Sequence, residues 1–119
     1  MLRIPFDPSR SADQTFRVLI PERLVMTLRL VWNTRAFGWD VTVTSDSGTI
    51  GMLRLVERFP LLHEHRALSP IEGDIIALPL SSSGSQAPLS EYSALGDSWG
   101  LFWLAPEDVA AWEAANGMG

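Results

Sequence analysis

The sequence predicts an all-β, mainly antiparallel domain, built as a small sandwich or partly open barrel with a short C-terminal helix. Three observations carry this expectation. The first is residues 24–43, which alternate as one amphipathic hairpin around Trp32-Asn33-Thr34-Arg35-Ala36-Phe37-Gly38-Trp39. Pairing Trp32 with Trp39 sets Leu30 opposite Val41 and Leu28 opposite Val43 on one apolar face. Val31/Asp40, Arg29/Thr42 and Thr27/Thr44 share the other, mostly polar face, the pattern of an antiparallel sheet packed on a core from one side. The second is a succession of short apolar segments divided by Gly, Pro, Ser, Asn and Asp clusters. The third is size: 119 residues with 46% hydrophobic and 19% charged side chains suffice for one core and not two.

Taken in order, residues 1–14 read as an extended N-terminal arm containing Pro5 and Pro8. That arm has no apolar run of the kind an export signal needs, which predicts a soluble protein without one. Thr15 to Ile20 is a strand broken by Pro21, and the hairpin strands run from Arg23 to Trp32 and from Gly38 to Thr44. Ser45-Asp46-Ser47-Gly48 is a turn cluster. The next strand, Thr49 to Val56, places Ile50 and Met52 on the core parity before Leu53 and Leu55 switch it. Such a phase change marks a bulge or a strand buried on both sides.

Phe59 to Arg66 lacks alternation and reads as a turn with a short helical piece, after which Pro70 to Asp74 turns the chain into a strand from Ile75 to Leu80. Residues 81–98, rich in Ser, Gly and Pro, form a long loop expected to be mobile in isolation. Trp99 to Leu104 is the final strand. Pro106-Glu107-Asp108 opens a helix, with proline in the first turn and acids at the positive end of the dipole, and Asn116-Gly117 closes it. The expected organisation is therefore an arm (1–14), a β domain (15–105) and a C-terminal helix and tail (106–119).

All nine basic residues are arginine and the last is Arg66, so residues 1–66 carry nine bases against seven acids and residues 67–119 carry seven acids alone. The two parts are about +2 and −7. Two readings fit: an acidic solvated face, or an acidic surface that docks on a basic partner. No basic stripe exists, so direct nucleic-acid binding is not expected. Arginine or glutamate interrupts every apolar run short of a membrane helix. There is no cysteine, hence no disulfide framework or thiolate chemistry.

The chain offers no catalytic or cofactor constellation with assignable roles, and no enzymatic activity is expected. His63 and His65 lack a third ligand nearby, so no metal site is expected. Ser81-Ser82-Ser83-Gly84 lacks the Gly-x-Ser-x-Gly turn that exposes a nucleophile. Glu107 and Asp108 suit a helix start, and Glu72 and Asp74 a turn around Gly73.

The aromatic residues are more informative, with five tryptophans in the chain. Trp32 and Trp39 form a cross-strand pair that fixes the hairpin. Trp112, on a short helix, is a candidate interface anchor. Tyr92, the one tyrosine, lies in the long loop and joins it. Asn33, Arg35 and Phe37 in the hairpin loop complete the candidate interface, Asn33 being able to bond backbone two residues on. An alternative is a small β-barrel module that holds a ligand on surface tryptophans Trp32 and Trp39.

The order of motifs resembles the small baseplate plug proteins of contractile-tailed phages, of the cyanophage type. The resemblance runs from about Phe16 to Glu107. It is carried by Trp32-Asn33-x-Arg35 followed by Trp39, Gly48 in a turn, Pro60-Leu61-Leu62, His65-Arg66 and the Pro70 to Gly73 turn. After the Gly/Ser/Pro-rich loop come Leu95-Gly96-Asp97, Leu101-Phe102-Trp103-Leu104 and Pro106-Glu107. Trp103 stands where such proteins often have tyrosine. The resemblance implies a virion structural protein of the tail baseplate, made in the host cytoplasm, that contacts hub and tail-tube proteins and closes the lumen until contraction. It also implies homo-oligomers that follow the three- or six-fold tail axis, and it carries over no catalytic residue.

Overall fold

The computed structural model describes residues 1–7, 10–80, 88–92 and 94–117. Seven strands and one α-helix follow in order: β1 (Leu2–Ile4), β2 (Asp13–Ile20), β3 (Leu24–Asn33), β4 (Gly38–Ser45), β5 (Gly48–Arg54), β6 (Asp74–Pro79), β7 (Trp99–Leu104) and α1 (Pro106–Ala115), with a 3-10 helix at His63–Leu68 between β5 and β6. They form two antiparallel sheets, β2-β3-β4-β5 and β1-β7-β6. The result is a sandwich, not a closed barrel. The hairpin has the register its alternation requires: Trp32 lies opposite Trp39, Leu30 opposite Val41 and Leu28 opposite Val43.

Burial explains why the two sheets have different sequence patterns. In β3 and β4, Met26, Leu28, Leu30, Trp39, Val41 and Val43 fill the space between the sheets, while Arg29 on the outer face pairs with Asp13 and Arg54 with Asp40. One face is wet, so apolar and polar residues alternate. β6 and β7 are covered twice. Ile75, Ala77, Leu101 and Trp103 face the first sheet, and Ile76, Leu104 and Val109, with Leu78, Phe102 and Trp112 beside them, form a second cluster under α1. Continuous apolar runs are what two covered faces demand, and the molecule is a three-layer stack of sheet, sheet and helix.

Three sequence-based expectations change. The N-terminal arm is more than an arm, because Leu2, Arg3 and Ile4 pair with Trp103, Phe102 and Leu101 of β7, and β2 starts at Asp13. Met52 is not a core residue. The β4–β5 register shifts between Val41/Leu53 and Val43/Ile50, so Gly51 and Met52 oppose the single residue Thr42. Met52 takes φ 57° and ends 69% exposed. The parity switch read from Leu53 and Leu55 is this bulge. Lastly, the long loop is anchored over part of its length: Leu89, Ala94 and Leu95 are buried in the main core, and Leu89 N–H donates to Glu57 Oε1 at 2.8 Å. The expectation of mobility for 81–87 and 93 falls outside the described residues.

One glycine is indispensable where the chain turns into β6. Gly73 has φ +77°, and a Cβ there would lie 2.0 Å from the Leu104 carbonyl oxygen. The turn before β6 thus presses its backbone onto β7, where Trp103 Nε1 donates to the Glu72 carbonyl at 3.1 Å.

Candidate interface surfaces

The hairpin tip is built by Asn33. Its Oδ1 accepts from the backbone N–H groups of Arg35 and Ala36, both at 3.1 Å, and its Nδ2 donates to Asp40 Oδ2 at 3.3 Å. A short polar side chain closing on nearby backbone in this way fixes a turn that regular hairpin bonds do not reach. The tip ends at Phe37 with φ 52°, which lets the chain re-enter β4 at Gly38. Phe37 is 64% exposed and Arg35 is exposed beside it. An aromatic in the left-handed region gains nothing from burial here, and the conformation costs on the order of 1 kcal/mol.

Behind the tip the aromatic residues lock together. Trp32 and Trp39 meet edge-on with ring centroids 5.5 Å apart. Tyr92 stacks on Trp39 at 5.2 Å and meets Trp32 edge-on at 5.3 Å, while Phe6 abuts Trp39 at 5.0 Å. Trp39 is 1% exposed, so it offers no open indole face, and the ligand-holding module with surface tryptophans loses one of its two platforms. Tyr92 is half-buried and acts here as the hook that draws the long loop onto the hairpin. Trp39 Nε1 has no hydrogen-bond partner among the described residues.

Trp112 lies across the molecule from that cluster, on α1. It is half-buried and packs edge-on to Phe59 at 5.6 Å and near His63 at 6.0 Å. Thus the five candidate interface residues do not form one patch: Asn33, Arg35 and Phe37 share the hairpin tip, Tyr92 lies in the aromatic cluster, and Trp112 fastens α1 to the segment before β6.

Beside Trp112 is a polar network that sequence reasoning missed. Asp74 is fully buried. Its Oδ1 accepts from the N–H groups of Leu62 at 2.8 Å and Ile75 at 2.7 Å, and its Oδ2 accepts from Arg66 Nη2 at 2.9 Å. Arg66 also holds Glu113 of α1, joining the 3-10 helix, β6 and α1. Burial pushes the Asp74 carboxyl above the ordinary aspartate range, against the opposing pull of the two backbone N–H groups and Arg66. His63 Nδ1 lies 3.9 Å from Glu113 Oε1, but that carboxylate is already held by Arg66. The arrangement is a clamp, and no group of acidic, histidine or cysteine residues among the described residues is placed to hold a metal.

The charge imbalance along the chain is also largely consumed inside the fold. Arg23 Nε meets Glu72 Oε1 at 3.1 Å and its Nη1 meets Glu107 at 3.3 Å, with its guanidinium 5.3 Å from the Trp103 ring centroid. The N-terminal amine meets Asp108 at 3.0 Å. With Arg66 on Asp74 and Glu113, five of the seven acids after Arg66 are paired to cations of the first half. Glu91 and Asp97 are left without a cationic partner among the described residues. The uneven charge is therefore mostly an internal cross-brace; the signal in the sequence was the complementarity of the two halves, which composition by segment reveals but cannot assign to pairs.

No helix of the described residues is long and apolar enough to cross a membrane. A protein-family model described as cyanophage baseplate Pam3 plug gp18 matches residues 1–107. No curated protein matches the chain significantly.

Proposed function

This chain belongs to the cyanophage baseplate plug family, whose role is structural and whose place is the virion tail, and we propose that it works there by bracing or closing the distal tube and hub through protein–protein contacts. The extent of the match carries the reading: it takes in every strand from Leu2 to Leu104 and the first two residues of α1. Baseplate plugs associate with other baseplate or tail proteins. The specific neighbours proposed here are hub and tail-tube subunits, with copies arranged about the three- or six-fold tail axis after synthesis in the host cytoplasm.

The hairpin tip supports a contact role. Phe37 is large, apolar and exposed, in a backbone conformation that glycine would adopt at lower cost. Strain and exposure at one residue, with no benefit to the isolated fold, fit a side chain retained for a neighbour. Phe37→Gly should therefore leave the isolated protein as stable as before or more stable by up to about 1 kcal/mol, while lowering its incorporation into tails at least tenfold, read by quantitative mass spectrometry of purified particles. Full incorporation of the variant would remove the tip from the contact surface.

A further inference from the structure

Four strand edges bound the two sheets: β1 and β6 in one, β2 and β5 in the other. An open edge presents a row of N–H and C=O groups that invites another strand, and proteins ordinarily shorten, break or cover it. Three of the four are treated in this way. β1 has three residues. β5 is broken by the bulge at Gly51 and Met52. β6 is covered by residues 57–61, where the Arg58 and Leu61 N–H groups donate to the Ala77 and Ile75 carbonyls at 2.9 and 2.8 Å.

β2 has none of these devices. Its eight residues pair with β3 without a register shift, contain no proline, and have no strand on their other side among the described residues. The Ala12 carbonyl accepts from Trp32 N–H at 2.8 Å. Antiparallel alternation then turns the backbone groups of Gln14, Phe16 and Val18 toward β3 and those of Thr15, Arg17 and Leu19 toward the open edge, while the Asp13 N–H at its start donates to Ser11 Oγ at 3.1 Å.

Beside this edge runs a groove of about 1160 Å³ lined by residues 2–7, 10 and 13–21. Phe6, Phe16 and Val18, which pack against the core, give it an apolar floor. Arg3, Arg10 and Arg17 line it too; all are exposed, and none forms an ion pair among the described residues. Of the acids there, Asp13 is taken by Arg29 at 2.7 Å and Asp7 is engaged within the chain. The groove thus keeps uncompensated positive charge over an apolar floor in a protein whose net charge is −5.

We propose that the β2 edge receives an extended segment of another baseplate protein, added as a fifth strand, with apolar side chains toward Phe6, Phe16 and Val18 and acidic ones toward the arginines. Its source rests on the baseplate reading above; its chemistry rests on the edge and the groove.

The test uses the isolated full chain, so it fails or succeeds independently of whether the chain resides in tails. A capped octapeptide of alternating Glu and Val is titrated against its Lys and Val counterpart, with hydrogen exchange read residue by residue. The Glu peptide should bind at least tenfold more tightly and slow exchange at the Thr15, Arg17 and Leu19 amides. Arg17→Glu, a change on an exposed side chain, should abolish or reverse the preference. Thr15→Pro, which removes an outward N–H and no bond to β3, should abolish binding. Equal binding of the two peptides, binding of neither, protection at β5 or β6, or peptide-free dimerisation through β2 would each overturn the proposal.

Discussion

Trp39→Ala is expected to cost about 3–5 kcal/mol of folding free energy, the range for deleting a large buried aromatic. The residue is almost fully buried and meets Phe6, Trp32 and Tyr92 at once, so its loss leaves a void where three chain segments converge. The damage should extend beyond the global equilibrium. Tyr92 loses the ring on which it stacks and Phe6 loses its edge contact, so amides in residues 88–98 and 1–7 should exchange faster than the rest of the destabilised protein. Trp39→Phe keeps most of the apolar volume and discards an N–H that has no partner among the described residues, so it should cost only about 1 kcal/mol. Urea unfolding of the two variants checks the difference. Equal losses would show that the indole nitrogen, and not ring packing, holds the cluster together.

Asp74→Ala is expected to cost about 3 kcal/mol. The variant strands the Leu62 N–H away from water, a penalty of roughly 1–3 kcal/mol, and removes a charge-assisted bond to Arg66. The loss stays below that of severing a fully buried ion pair, about 3–5 kcal/mol, because Arg66 is partly exposed and retains Glu113. Asp74→Asn keeps an acceptor for the Leu62 and Ile75 N–H groups and should cost less than the alanine change. A pH dependence follows. The folded-state pKa of Asp74 is raised above the unfolded value, so the native state binds a proton more readily than the unfolded chain. This stabilising contribution is fully present below the unfolded value of about 3.9 and is lost as pH rises through the higher folded value. The gap between the native protein and Asp74→Ala should therefore widen from pH 7 to pH 4 in chemical denaturation; a gap that narrows would reverse the sign of the burial effect.

What the sequence disclosed follows from which interactions are local. The hairpin register was legible because period-two alternation and a four-residue connection leave one pairing that puts Leu28, Leu30, Val41 and Val43 on a single face. β7 and the start of α1 were legible from an unbroken apolar run and from Pro106 with two acids. β1 was not, since Leu2, Arg3 and Ile4 gain their conformation from a strand nearly a hundred residues away. Asp74 read as a turn residue beside Gly73, and nothing local marks it as buried under Arg66. Met52 was misplaced because the bulge that exposes it is fixed by cross-strand register to Thr42. Tyr92 was singled out, but the stack on Trp39 that defines its position joins segments more than fifty residues apart.

The family membership and the fold agree on what the chain offers its surroundings. Ion pairs brace the fold: Arg23 ties the β2–β3 turn to the turn before β6 and to α1, and Arg66 ties the 3-10 helix to Asp74 of β6 and Glu113 of α1. A braced sandwich that presents an exposed, strained aromatic at a hairpin tip suits the contact role proposed for it.

The most direct test is cryo-electron microscopy of intact tails that carry this chain. Sandwich density is expected at the distal end of the tail tube, with the Asn33 to Phe37 tip against a neighbouring hub or tube subunit. Well-resolved baseplates without such density, or with the tip facing open solvent, would contradict it.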